Sequence, residues 1–156
     1  MKYHYRYYFF ILVFLASFSI NISASESVGS LRNVAGLATI SRVVDDKRRI
    51  IRARNDLHIY QKDMIKTTQG NLGIIFNDST RVSLARNSIL VINRYVYRPG
   101  KKEYGMITNV MKGKAAVFSG QISNLEADAM VFKTPNATIR ARNANFLIEV
   151  NDQGGS

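Results

Sequence analysis

Apolar residues recur at alternate positions along this chain, in short runs separated by turn-forming residues. The clearest case is Gln69 to Leu84. Leu72, Ile74 and Phe76 share one face, and Val82 and Leu84 resume on one face after a break. The break, Asn77-Asp78-Ser79-Thr80, is rich in side chains that bond their own backbone and so favour a turn. The pattern predicts a β-hairpin there. Around it, Val28 to Val43 alternates loosely, with Gly29 and Gly36 as punctuation, and Ile50-Ile51 and Leu57 to Tyr60 are short apolar pieces. Asp63 to Thr67 leads into the hairpin.

Ser88 to Tyr97 is rich in β-branched and aromatic residues. Its alternation puts Leu90, Ile92 and Val96 on one face and Ile89, Val91, Asn93, Tyr95 and Tyr97 on the other, before Pro99-Gly100 ends the strand. Met106 to Met111 and Ala115 to Phe118 read as two strands joined by a Lys112-Gly113-Lys114 turn, and Gly120 closes that unit. Met130 to Lys133 precedes Thr134-Pro135, and Ala137 to Val150 carries the last strands. A brief helix is expected between Gln121 and Ala129, capped by Ser123 or Asn124. Strands of about five residues, with a turn signal every eight to twelve, predict an all-β fold of stacked antiparallel sheets, as a sandwich, roll or solenoid-like stack. No sequence repeat marks a propeller or a regular β-helix.

The first residues read differently. Lys2 and Arg6 precede the apolar run Phe9 to Phe18, and the small, polar stretch Ser19 to Ser25 follows. That order is the pattern of a secretory signal peptide over residues 1–24, cleaved near Ala24 or Ser25. It predicts a periplasmic or secreted protein, an all-β domain over 25–150, and a polar, glycine-rich flexible tail over 151–156.

Composition then removes several kinds of chemistry. The 156 residues include no cysteine, so disulfides, thiolate metal sites and lipid attachment after the apolar run are excluded. Beyond the predicted leader there is one histidine, His58, too few for a multi-histidine metal site. No metal or cofactor is expected. The chain has 11 carboxylates, but none pairs with a base at a spacing suited to acid–base or nucleophilic work. Asp45-Asp46 sit beside Lys47-Arg48-Arg49 in a loop, and Glu126 and Asp128 lie in a short connection. Asp63 and Asp78 read as structural turn aspartates that accept backbone N–H bonds. Catalytic residues are not expected, and the chain does not read as an enzyme.

The order of these pieces resembles the FecR domain over about Val28 to Val150. Val28-Gly29, then Gly36 with Ala38, Ile40 and Arg42, is similar to the family's opening strands. Ile59 to Thr67 (IYQKDMIKT) is similar to its entry to the hairpin, and Gly73 to Leu84 (GIIFNDSTRVSL) to its most recognisable hairpin. Lys112-Gly113 and Phe118-Ser119-Gly120 fit the middle, and Thr134-Pro135-Asn136-Ala137-Thr138-Ile139 fits the start of the closing motif. The chain departs from the family where glycine is usual, at Lys62, at Ser79, and in the closing Arg140-Ala141-Arg142-Asn143-Ala144. Glycine serves where φ is positive, and asparagine tolerates that region best among the others. Asn143 is therefore expected to keep the turn, whereas Lys62 and Arg140 predict remodelled turns or a drifted fold. The resemblance implies an exported sensing or interaction module that binds another envelope protein or a ligand. It implies no direct sigma-factor contact, because no membrane span or cytoplasmic helical part is read after the leader.

The charge adds a second possibility. The formal net charge is +11, of which Lys2 and Arg6 carry two. Lys47, Arg48, Arg49, Arg52 and Arg54 crowd one stretch, Arg98, Lys101 and Lys102 flank the Pro99-Gly100 turn, and Arg140 and Arg142 form a pair. Arginine forks suit phosphate and carboxylate. Arg48, Arg49, Arg52, Arg54, Arg98, Lys101, Arg140 and Arg142 are thus candidate anion-facing residues, with Asp63, Asp78, Gly113 and Asn143 as structural turn positions. An anionic glycan or lipid is the alternative partner. Nucleic acid is not expected after export. Tyr95, Tyr97 and Tyr104 surround the basic turn and read as rim residues with hydroxyls in water.

Overall fold

The computed structural model describes residues 25–151. The expected signal peptide, and the tail beyond Asn151, lie outside the described residues. Among the described residues there are ten strands: β1 (Ser27–Val44), β2 (Lys47–Arg52), β3 (His58–Tyr60), β4 (Met64–Phe76), β5 (Arg81–Leu84), β6 (Ile89–Arg98), β7 (Glu103–Phe118), β8 (Met130–Lys133), β9 (Thr138–Ala141) and β10 (Asn145–Val150). A short helix, α1 (Gln121–Leu125), lies between β7 and β8. The chain is all-β, as its alternation predicts.

Three strands are much longer than the turn spacing suggests, at 18, 13 and 16 residues for β1, β4 and β7. Each changes partners along its length. The first half of β1 pairs with β3 and the end of β4, and its second half with β2 and the start of β4. The start of β4 also pairs with β6, and its end with β5. The first half of β7 pairs with β6 and β8, and its second half with β5 and β10. Two sheets result, continuous through the long strands. The first runs β2-β1-β4-β6-β7-β8-β9, and the second runs β3-β1-β4-β5-β7-β10.

Glycine allows the bends. Gly36 and Gly70 face each other across β1 and β4 with φ of +77° and +113°. A Cβ on either would meet the opposite carbonyl oxygen at 2.0 or 1.9 Å. In β7 the corner is Gly113, with φ of +84° and room for no side chain beside Ser88. The expected turn at Lys112-Gly113-Lys114 is therefore a bend inside one strand. The ladder survives it because the Lys114 N–H donates to Ser88 Oγ at 3.0 Å.

One core lies between the sheets. Leu72, Ile74, Phe76, Val82 and Leu84 all point into it, together with Leu31, Ile40, Ile65, Leu90, Met106 and Phe132. In β6 the register slips at Asn93, so the alternation changes phase. Tyr95 therefore joins Leu90 and Ile92 inside, stacked on Phe76 at 5.4 Å, and Val96 turns outward. One pair, β7–β8, is parallel, with α1 in the crossover.

Candidate functional site

Two buried aspartates fix the corners of the fold. Asp78, in the β4–β5 turn, is fully buried. Its carboxylate accepts from Thr80 Oγ1 (2.7 Å), the Thr80 N–H (3.3 Å), the Tyr95 hydroxyl (3.1 Å) and the Ile122 N–H (3.2 Å). Its own N–H donates to the Tyr95 hydroxyl at 2.8 Å, and its carbonyl accepts from the Gln121 N–H at 2.8 Å. Asp78 thus serves the start of α1, where Ser123 and Asn124 were the expected caps. Gly120 is the N-cap residue, makes no side-chain capping bond, and Ser123 Oγ donates to the Gly120 carbonyl instead.

Tyr95 is not a rim residue. Burial disfavours its phenolate, and the Asp78 carboxylate adds to this, so its pKa is raised well above the ordinary value of about 10. A raised acid pKa stabilises the fold fully below the unfolded value, and the contribution falls as pH rises past it. Urea midpoints of the native protein should therefore decline above about pH 10 more steeply than those of Tyr95→Phe. Parallel slopes for the two proteins would show that the hydroxyl does not hold its proton this way.

Asp63, at the turn between β3 and β4, is also fully buried. Arg42 grips it with two bonds, Nε to Oδ1 at 2.8 Å and Nη2 to Oδ2 at 2.7 Å. Arg42 Nη2 also donates to the His58 carbonyl at 3.0 Å, and its guanidinium lies 4.2 Å over the Tyr60 ring. The Tyr60 N–H donates to Asp63 Oδ2 at 2.9 Å. The bonds to Asp63 raise the Arg42 pKa still further. Arg42 was not among the anion-facing candidates. The available signal was its phase, since it falls in step with Ala38 and Ile40, both buried.

Three of the four departures from glycine keep the glycine conformation. Lys62, Ser79 and Asn143 have φ of 72°, 68° and 45°. The turn at Lys62 is therefore retained, with its N–H donating to the Ile92 carbonyl at 2.6 Å. Arg140 lies within β9 and is not among the left-handed residues. A non-glycine residue in this region costs roughly 1 kcal/mol or more. Lys62→Gly and Ser79→Gly should each raise stability by roughly 0.5–1 kcal/mol, after the unfolded-state entropy of glycine is subtracted. Chemical denaturation of the two variants measures this, and a loss of stability in both would contradict it.

The first sheet buries one face and leaves the other open. Directly paired residues on the outward face form a row across all seven strands: Ile50, Ser41, Met64, Val91, Asn109, Lys133 and Thr138. A neighbouring row places Arg52, Thr39, Lys66 and Ile89 side by side. Val43 and Arg48 are paired on the same face, as are Val131 and Arg140. Ile50 is 74% exposed and Val43 62%. The face thus combines open aliphatic side chains with cations.

The candidate cations do not form one cluster. Arg48 and Arg52 lie on the outward face of β2 and Arg140 on that of β9, at opposite ends of the first sheet. Arg49 pairs with Arg42 and points to the other side. Arg54 and Arg142 sit in exposed loops. Arg98 is ion-paired with Glu103 at 3.0 Å, and Lys101 lies in the 3-10 turn Pro99–Lys101 beside it. Lys66 and Lys133, which belong to no basic run in the sequence, share the outward face. Tyr97 and Tyr104 are half-buried with ring centroids 6.1 Å apart. Among the described residues, no group of three or more His, Cys, Asp or Glu is placed to hold a metal ion.

A model of the family described as FecR protein matches residues 63–156, more than half of the chain. The match begins at Asp63 and takes in Asp78, so both buried aspartates fall within it. No curated protein and no solved structure matches the chain.

Proposed function

We propose, from the premise that this chain belongs to the FecR family, that it is an exported sensing module that binds a partner in the cell envelope through the outward face of its first sheet. The family is regulatory, non-enzymatic and envelope-associated. The observation that carries the reading is the open row from Ile50 to Thr138, apolar at Ile50, Met64 and Val91 and flanked by cations. Exposed apolar patches rimmed by polar residues mark interaction surfaces. The buried aspartates hold the strands beneath, so the face is a preformed platform. Direct sigma-factor contact and nucleic-acid binding are not part of the reading.

The competing reading, an anionic glycan or lipid held by basic loops, is disfavoured by the separation of those loops. Ionic strength separates the two, since charge-driven binding falls steeply with salt and an apolar interface does not. A photocrosslinking residue at Ser41, on the outward face, should capture an envelope component when the protein is made in its own cells. The same residue at Ser83, exposed on the outer side of the second sheet, should not. Equal capture at both positions, or none at Ser41, would remove the reading.

A further inference from the structure

We infer that the partner of the outward face is a protein surface with an apolar centre and an acidic rim. The inference rests on the reading that this face is the contact surface, and adds the chemistry of what it contacts. From β2 to β9, the outward strand positions of the Ile50 row and its neighbours carry Arg48, Arg52, Lys66, Lys133 and Arg140 and no carboxylate. Their apolar members are Ile, Val and Met. Arginine and methionine around an apolar centre match the composition of protein interfaces, and cations across such a contact select acidic partners.

Other occupants fit less well. A second copy of this chain would set cations against cations. A bilayer surface takes Trp, Tyr or Phe as interfacial anchors, and none stands in these rows. A polyanionic glycan would use the cations and leave Ile50 and Val43 in water. An acidic-rimmed protein surface uses both kinds of side chain. Size suits a small contact: seven strands about 4.8 Å apart span roughly 29 Å. Three rows about 7 Å apart give a footprint of the order of 400 Å² before side-chain relief, about half of the ~800 Å² that each partner contributes to a standard interface and in the range of weak, transient encounters.

The test uses the full chain in its own cells with benzoylphenylalanine at Ser41, and maps the captured species by mass spectrometry. The expected adduct is a protein segment in which Asp or Glu flank apolar residues. Arg48→Glu with Arg52→Glu should lower capture by about tenfold, and reversing two acidic residues of the captured segment to Lys should restore it. Ile50→Ser should also lower capture. Both variants should keep the native urea midpoint, because these side chains are exposed. An adduct to lipid, to glycan or to a second copy would overturn the inference. So would a captured segment without carboxylates, or a charge reversal without effect. Capture at Ser41 no greater than at Ser83 would instead remove the parent reading, and the inference with it.

Discussion

Asp78→Ala should lose about 4 kcal/mol of stability, a large part of the 5–15 kcal/mol that holds a domain of this size together. The carboxylate it removes accepts four bonds from three elements: the β4–β5 turn, β6 and α1. Without it, the Thr80 hydroxyl, the Tyr95 hydroxyl proton and the Ile122 N–H lose their partner in a buried site. Each unsatisfied buried donor costs about 1–3 kcal/mol, and relaxation around the smaller side chain recovers part of that. Asp78→Asn keeps the volume but turns a donor toward donors, and should lose about 2–3 kcal/mol. Urea denaturation followed by circular dichroism measures both.

A local readout distinguishes this account from a generic core defect. The Gln121 and Ile122 amides, which bond to Asp78, should lose hydrogen-exchange protection before the central β4 amides do. Combining Asp78→Asn with Tyr95→Phe should cost less than the sum of the two, because the residues share a bond. An Asp78→Ala protein within about 1 kcal/mol of the native one would mean that water replaces the carboxylate, and the keystone role would fall.

What the sequence disclosed here, and what it hid, follows from the range of each interaction. Strand alternation and turn chemistry are local, so the inward faces of Leu72 to Leu84 and the turn character of Asp63 and Asp78 were legible. The partners of those aspartates were not. Arg42 lies 21 residues before Asp63, and Ile122 lies 44 residues after Asp78. The same limit explains the long strands. Gly36, Gly70 and Gly113 read as punctuation, and whether a glycine ends a strand or bends it depends on which backbone lies opposite. At Gly36 and Gly70 it is the other glycine.

A register slip accounts for Tyr95. Strict alternation sends Tyr95 to the side opposite Ile92, but the slip at Asn93 inserts one extra residue and brings it back to the core. The basic segments were legible as charge alone. Arg48 and Arg140 share a face only because β2 and β9 belong to one sheet, and that follows from a topology in which three strands serve two sheets. Lys66 and Lys133, isolated in sequence, reach the same face by cross-strand pairing.

Removing one partner of the Arg42–Asp63 pair should be the second most damaging change. Arg42→Met leaves a fully buried carboxylate with only the Tyr60 N–H, among the described residues, still donating to it. Breaking a buried pair from one side costs about 3–5 kcal/mol. The Arg42 side chain keeps 19% of its exposure, so water reaches the site and the lower end, about 3 kcal/mol, is expected. Arg42→Lys preserves the charge but not the two-pronged geometry, the bond to the His58 carbonyl or the stacking on Tyr60. It should still lose about 1–2 kcal/mol. Equal stability of Arg42→Lys and the native protein would show that a point charge suffices. The pair also bears on the proposed interface. Arg42 points inward between Ser41 and Val43, which point outward, and Asp63 immediately precedes Met64, the partner of Ser41. Its loss should therefore loosen the outward row where Ile50, Ser41 and Met64 meet. Crosslinking from Ser41 should weaken in Arg42→Met even at temperatures where the protein remains folded, whereas a substitution of equal cost at the Asp78 corner should weaken it less.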